Sequence, residues 1–178
     1  MSLRCAFLRG LNVGGHRVAM TELAATFEAL GASRVATYIA SGNVIFEDPR
    51  PSDALTPLLE AHLEATLGYA VPAFLREEAE LEALVAADPF DAKALAAAKG
   101  KPQVIFTRAP LSPAAGRRVM KLSTPAERLV LADKAIHWLP ANGVGRAELD
   151  FRALAKETGE VTVRTQNTVT KILAKYFG

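Results

Sequence analysis

The chain has 178 residues, half of them hydrophobic and 22% charged, with a formal net charge of +2 at neutral pH. This length suits one large domain or two small ones, burying roughly two-thirds of the unfolded surface, and no low-complexity tract argues for disorder. No apolar run reaches the ~18 residues of a membrane span, the first residues lack a secretory-leader pattern, and one cysteine, Cys5, excludes an intramolecular disulfide. A soluble cytoplasmic protein is expected.

Residues 4–9 read as a strand, followed by the glycine-rich run Gly10-Leu11-Asn12-Val13-Gly14-Gly15. From Met20, apolar residues recur at helical spacing through Leu23, Ala24, Phe27 and Leu30, and Gly31 stands as a stop. Residues 35–40 and 44–47 form two strands around the turn Ser41-Gly42-Asn43. Ser52-Asp53 is placed to cap a helix carrying Leu55, Leu58, Leu59, Leu63 and Leu67, ended by Gly68. Residues 71–76 make a fourth strand, and Pro72 within it favours a sheet edge.

The order β-α-β-β-α-β is the split βαβ pattern of ferredoxin-like folds. A connecting helix follows over residues 77–87 and ends at Asp88-Pro89-Phe90. The second half repeats the theme. Residues 103–107 form a strand, Ser112-Pro113 opens a helix, and residues 128–132 and 135–139 make a hairpin around Asp133-Lys134. A helix over 147–158 stops at Gly159, and a short strand covers 161–163. The last helix presents Val169, Ile172, Leu173 and Tyr176 on one face. The expected fold class is α+β, with two consecutive ferredoxin-like halves, antiparallel sheets and an extra C-terminal helix. The halves are 1–87 and 88–178.

Charge divides unevenly. Residues 1–89 hold six arginines and no lysine against twelve acids, whereas residues 90–178 hold fifteen basic residues against seven acids. The asymmetry fits a half that faces a polyanion, or two halves that attract each other.

Three polar motifs are candidates for anion binding. In the split βαβ topology the loop leaving the first strand and the hairpin joining strands two and three emerge at one end of the sheet. Arg9, Asn12, Gly14, Gly15, Ser41 and Asn43 are therefore expected to be neighbours. Glycines let backbone N–H groups turn toward an anion, and arginine adds forked donors. The same residues also suit tight turns, with Asn12 and Ser41 bonding local backbone. The third motif, Thr162, Arg164, Asn167, Thr168 and Lys171, is expected at the start of the last helix, where unpaired N–H groups favour negative charge. Its alternative is a structural clasp, with Thr165 as a cap and Arg164 paired to an acid.

Other features are weaker. Arg117, Arg118 and Lys121 form a basic helical face, and Phe7, Tyr38 and Phe46 read as core rather than base-stacking residues. His16, His62 and His137 lack metal-ligand spacing, and Cys5 reads as an inert core thiol. No metal, nucleophile or cofactor is expected.

The segments from Leu8 to Gly15 and from Thr37 to Phe46, with Asp88-Pro89-Phe90 and the closing Thr162-x-Arg164-x-x-Asn167-Thr168-Val169, resemble the uncharacterised bacterial family called domain of unknown function 1697. The resemblance spans essentially the whole chain and implies a compact α+β protein with ferredoxin-like subdomains. It implies no activity. The residues lead to a non-catalytic protein that binds a phosphate-bearing partner, either nucleic acid or a nucleotide-like small molecule. The alternatives are an enzyme for phosphorylated or acidic substrates, with Arg9 and Arg164 as electrostatic clamps, and a protein-interaction module.

Overall fold

The computed structural model describes residues 1–178. The chain divides into two compact units, residues 1–79 with 175–178, and residues 80–174. Each contains one four-stranded antiparallel sheet.

In the first unit, β1 (Ser2–Leu8) leads through a loop to α1 (Met20–Ala29), then β2 (Ser33–Thr37), β3 (Asn43–Asp48), α2 (Ser52–Leu67) and β4 (Ala73–Glu77). The sheet order is β2-β3-β1-β4. β3 runs antiparallel to both β1 and β2, so those two are parallel to each other. This is the expected ferredoxin-like order.

Alternation decides which face meets the helices. Ala6, Leu8, Val44, Phe46, Ala73 and Leu75 pack against Leu23 and Phe27 of α1 and Leu55, Leu59 and Leu63 of α2. Phe27 meets Phe46 edge to face at 5.1 Å. The i, i+4 spacing of the α2 leucines is what puts them on one face. α2 ends at Gly68, whose φ of 84° gives the left-handed close that the sequence suggests. Its start differs: Ser52 is already helical, Pro51 occupies the cap position and no side chain caps the helix. Pro72 also lies one residue outside β4, although β4 is indeed an edge strand.

The second unit begins within α3 (Glu78–Ala86), so most of the connecting helix belongs to it. Leu81 and Leu84 are buried, and Glu80 pairs with Lys134 of the same unit. A short helix that the sequence did not suggest follows, α4 (Ala92–Ala97), capped by the Asp91 carboxylate accepting from Ala94 N. Then come β5 (Gln103–Thr107), α5 (Pro113–Met120), β6 (Glu127–Ala132), β7 (Ala135–Pro140), α6 (Phe151–Thr158), β8 (Val161–Thr165) and α7 (Gln166–Ile172).

The order β6-β7-β5-β8 repeats that of the first sheet. Ser112 caps α5 with proline directly behind it, as read from the sequence. Ile105, Ile136 and Trp138 pack with Val119 of α5 and Leu154 of α6. The 147–158 helix starts later than expected, at Phe151, because Asp150 caps it through Ala153 N, and a 3-10 turn precedes it at Val144–Arg146.

The last helix buries Val169 and Ile172 fully and Leu173 and Tyr176 in part. Beyond Ile172 it loosens into a π turn over Leu173–Phe177. Residues 175–178 belong to the first unit, where the Tyr176 hydroxyl donates to Thr37 O at 3.4 Å. No helix is long and apolar enough to cross a membrane.

Candidate functional site

At Leu8 the first strand ends, and the chain enters the loop that precedes α1. Two backbone bonds fix the loop's origin: Leu8 N donates to Gly42 O at 2.8 Å and Arg9 N to Pro72 O at 2.9 Å. Asn12 then holds both the hairpin and the loop exit. Its Nδ2 donates to Ala40 O and its Oδ1 accepts from Val18 N, each at 2.8 Å. Gly42 has φ of 89°, and an added Cβ would lie 3.1 Å from Leu8 and Leu11, so both conformation and space call for glycine. Loop and hairpin do share one end of the sheet, as the topology requires.

The hairpin turns earlier than its glycine suggests. Tyr38 N donates to Asn43 O at 2.9 Å, and Ile39 takes a φ of 53°. Asn43 is wholly buried, and its Nδ2 donates to Tyr38 O at 2.8 Å and Ser41 Oγ at 3.0 Å. That amide shapes the turn from inside. Ser41 is exposed.

Arg9, Val13, Gly14, Gly15, His16 and Arg17 form the exposed part of the loop. Gly14 and Gly15 have φ of 61° and 88°, with open space where side chains would stand. The His16 ring stacks on Tyr69 at 3.7 Å between centroids. The Tyr69 hydroxyl donates to Leu11 O at 2.7 Å. Burial pushes this phenol's pKa up, and the charge of Glu22 adds to the effect. Arg17 Nη1 donates to His16 O at 2.9 Å. No acid lies between Arg9 and Ala19.

The third motif sits differently from its expected place. Thr162 and Arg164 belong to β8, because pairing with β5 continues through Val104 opposite Arg164 and Gln103 opposite Thr165. Both are buried, and Arg164 Nη1 donates to Thr162 Oγ1 and Val163 O at 2.9 Å. Thr165 is the cap of α7, with its hydroxyl accepting from Thr168 N at 3.1 Å. Asn167 and Lys171 are exposed on α7, and Thr168 is half-buried. The six loop and hairpin candidates lie in the first unit and the five closing ones in the second.

Sequence reasoning passed over a cavity in the second unit. Its volume is about 320 Å³, and its lining includes Phe90, Leu95, His137 and Gln166. His137 is 2% exposed, and burial lowers its pKa. In the sequence His137 lacks metal-ligand spacing to the other histidines, and nothing in its neighbours marks it as cavity-lining.

Among solved structures the chain is similar to the conserved bacterial protein SP0830 from Streptococcus pneumoniae, with a TM-score of 0.75, 22% identity and 97% of each chain covered. That likeness concerns the fold. No curated protein matches significantly. A family model described as "Protein of unknown function (DUF1697)" matches residues 1–137. The match takes in the first loop, the hairpin and Asp88-Pro89-Phe90 but stops short of the closing motif, and on it the chain belongs to the DUF1697 family.

Proposed function

We propose that the protein binds a phosphate-bearing ligand on the exposed loop from Arg9 to Arg17. One observation carries the reading: two exposed consecutive glycines at positive φ lie between two exposed arginines, on a stretch without acids. Such glycines leave backbone N–H groups accessible to an anion, and arginine matches phosphate with two parallel donors. The ties made by Asn12 and Tyr69 hold the loop in place, so little ordering cost falls on binding. Helix α1 contributes less, because Glu22 already supplies negative charge to its first turn.

The charge around the loop favours a compact ligand. In the first unit, residues 1–79 with 175–178, nine acids outnumber seven basic residues, which disfavours an extended polyanion. A nucleotide-like molecule meets the loop's local charge without spanning the acidic surroundings.

The test is a thermal-shift and calorimetric titration of the parent and Arg9→Ala with inorganic phosphate, adenosine monophosphate and a short single-stranded oligonucleotide. A ligand at ~100 times its Kd stabilises the fold by about 2.7 kcal/mol, well within detection. The reading expects the mononucleotide to stabilise the parent and Arg9→Ala to lose that response while melting at the parent temperature. Oligonucleotide binding alone, falling steeply with salt, would transfer the reading to nucleic acid. Absence of any response, or an undiminished one in Arg9→Ala, would refute a phosphate site on this loop.

A further inference from the structure

Between the paired glycines of the first loop and the start of α1 the chain carries one aromatic ring, that of His16, and it lies flat against another. Val13 to His16 make a tight turn, closed by His16 N donating to Val13 O at 3.1 Å, with Gly14 and Gly15 at its centre. The N–H of His16 is used in closing the turn, whereas those of Gly14 and Gly15 make no hydrogen bond. The two donors left for an anion therefore sit directly before the His16 ring.

That ring is held from one side. Its plane lies 19° from that of Tyr69, with 3.7 Å between centroids, a stacked and not an edge-on pair. Tyr69 follows the Gly68 that ends α2, and its hydroxyl donates to Leu11 O at 2.7 Å, which fixes the phenol to the loop at its far end. Arg17 Nη1 bonds His16 O at 2.9 Å and ties the backbone of the same residue. Tyr69 is half-buried, but His16 is exposed. With the phenol over one face of the imidazole, the ring surface left exposed is the opposite face and the edge. The ring nitrogens have no hydrogen-bond partner within the protein.

A fixed, exposed ring beside free anion donors has a definite chemical complement. A nucleoside monophosphate carries a planar base and a phosphate joined by one sugar. Its base needs only a π-face to stack on, because stacking on aromatic side chains is open to every base. The stack on Tyr69 sets the plane of the imidazole before any ligand arrives, so binding does not have to order it. Inorganic phosphate or a phosphosugar leaves the outer face of His16 unused.

From this juxtaposition we propose that the ligand is a nucleoside monophosphate whose base stacks on the outer face of His16 while its phosphate lies on the Gly14 and Gly15 N–H groups. His16 is then the residue that selects a nucleotide over other phosphate esters. The inference rests on the phosphate reading of the same loop and adds the base to it.

The experiment compares adenosine monophosphate with ribose 5-phosphate, which lacks the base, by calorimetric titration of the full chain. The proposal expects the nucleotide to bind about tenfold tighter or more. His16→Ala should bring the two ligands to equal affinity, and His16→Phe, which keeps a flat ring, should retain the preference. Proton spectra of the parent supply a readout that damage to the loop does not imitate. A base over the imidazole moves the His16 ring protons upfield through its ring current, a shift that ribose 5-phosphate does not give, while His62 and His137 stay still with both. If His16→Ala does not fold, that contrast in the parent still decides. Equal affinities for the two ligands in the parent, with binding lost in Arg9→Ala, would overturn the stacking and leave the phosphate site standing. Absence of binding by either ligand would overturn both. A nucleotide preference that persists in His16→Ala, or unmoved His16 protons at saturating nucleotide, would put the base elsewhere and overturn the proposal.

Discussion

The side-chain amide of Asn12 donates to Ala40 O at 2.8 Å, joining the loop after the first strand to a hairpin 28 residues further along. The same side chain accepts from Val18 N, so its removal leaves a donor and an acceptor to find other partners. Asn12→Ala should destabilise the protein by about 1–3 kcal/mol, measured by urea denaturation. Asn12→Asp keeps an acceptor for Val18 N but sets a carboxylate oxygen against Ala40 O, and should be no more stable than the alanine variant. Equal stability of all three would show that the tie is not a structural one.

A second tie predicts a pH dependence. The Asp48 carboxylate is buried and accepts from Arg50 Nε and Arg50 N at 2.8 Å and from Arg50 Nη2 at 2.5 Å. Hydrogen bonds from the Arg50 side chain hold its carboxyl below the usual carboxylate range, against an opposing effect of burial. The unfolded chain therefore binds this proton more readily than the folded one. The stabilisation is present above an unfolded pKa of roughly 3.9 and disappears as pH falls through the lower folded value. Asp48→Asn should lower stability at neutral pH by about 1.5–3 kcal/mol. It should also flatten the acid limb of the stability curve, and an unchanged limb would exclude this pair as its source.

Glu127 plays a comparable part in the second unit. Its carboxylate accepts from Trp138 Nε1 and from Glu148 N, both at 2.7 Å, while 3% exposed. Replacing one oxygen by an amide turns an acceptor into a donor facing another donor. Glu127→Gln should therefore cost about 1–3 kcal/mol although its volume is unchanged. Indole fluorescence during denaturation reports on the same contact.

Much of the fold was legible because its signals are local. Gly68 and Gly159 end helices, Ser112-Pro113 starts one, and short, largely apolar runs bounded by turn residues mark β5 and β7, which are buried along their whole length. Misplaced boundaries lie where tertiary bonds override local signals. β2 ends at Thr37 because the buried Asn43 amide draws the turn back to Tyr38. β8 runs on through Arg164 because β5 supplies partners for two more residues. Helix α4 has six residues, too few to reveal a period. In the candidate sites, topology foretold that Asn12 would lie near the hairpin, but no sequence pattern indicates that His137 and Gln166 share a cavity. One belongs to β7 and the other opens α7, elements separated in the chain by α6 and β8.

The strand placement of Arg164 separates two residues that the sequence grouped. Its guanidinium donates to Thr162 Oγ1 and Val163 O and is 8% exposed, so truncation leaves Thr162 Oγ1 and the buried strand carbonyl short of a donor. Arg164→Ala should cost about 1–3 kcal/mol by chemical denaturation. Arg164→Lys should recover little, because one ammonium does not reproduce the planar fork. Asn167 is exposed on the first turn of α7, where the Thr165 hydroxyl already caps the helix, so Asn167→Ala should stay within about 0.5 kcal/mol of the parent. Thr165→Ala, which removes the cap, should cost about 0.5–2 kcal/mol. The ranking Arg164 and Thr165 above Asn167 identifies the motif as a clasp between strand and helix. If instead Arg164→Ala matches the parent in stability while the mononucleotide response disappears, the guanidinium serves a ligand and the clasp reading fails.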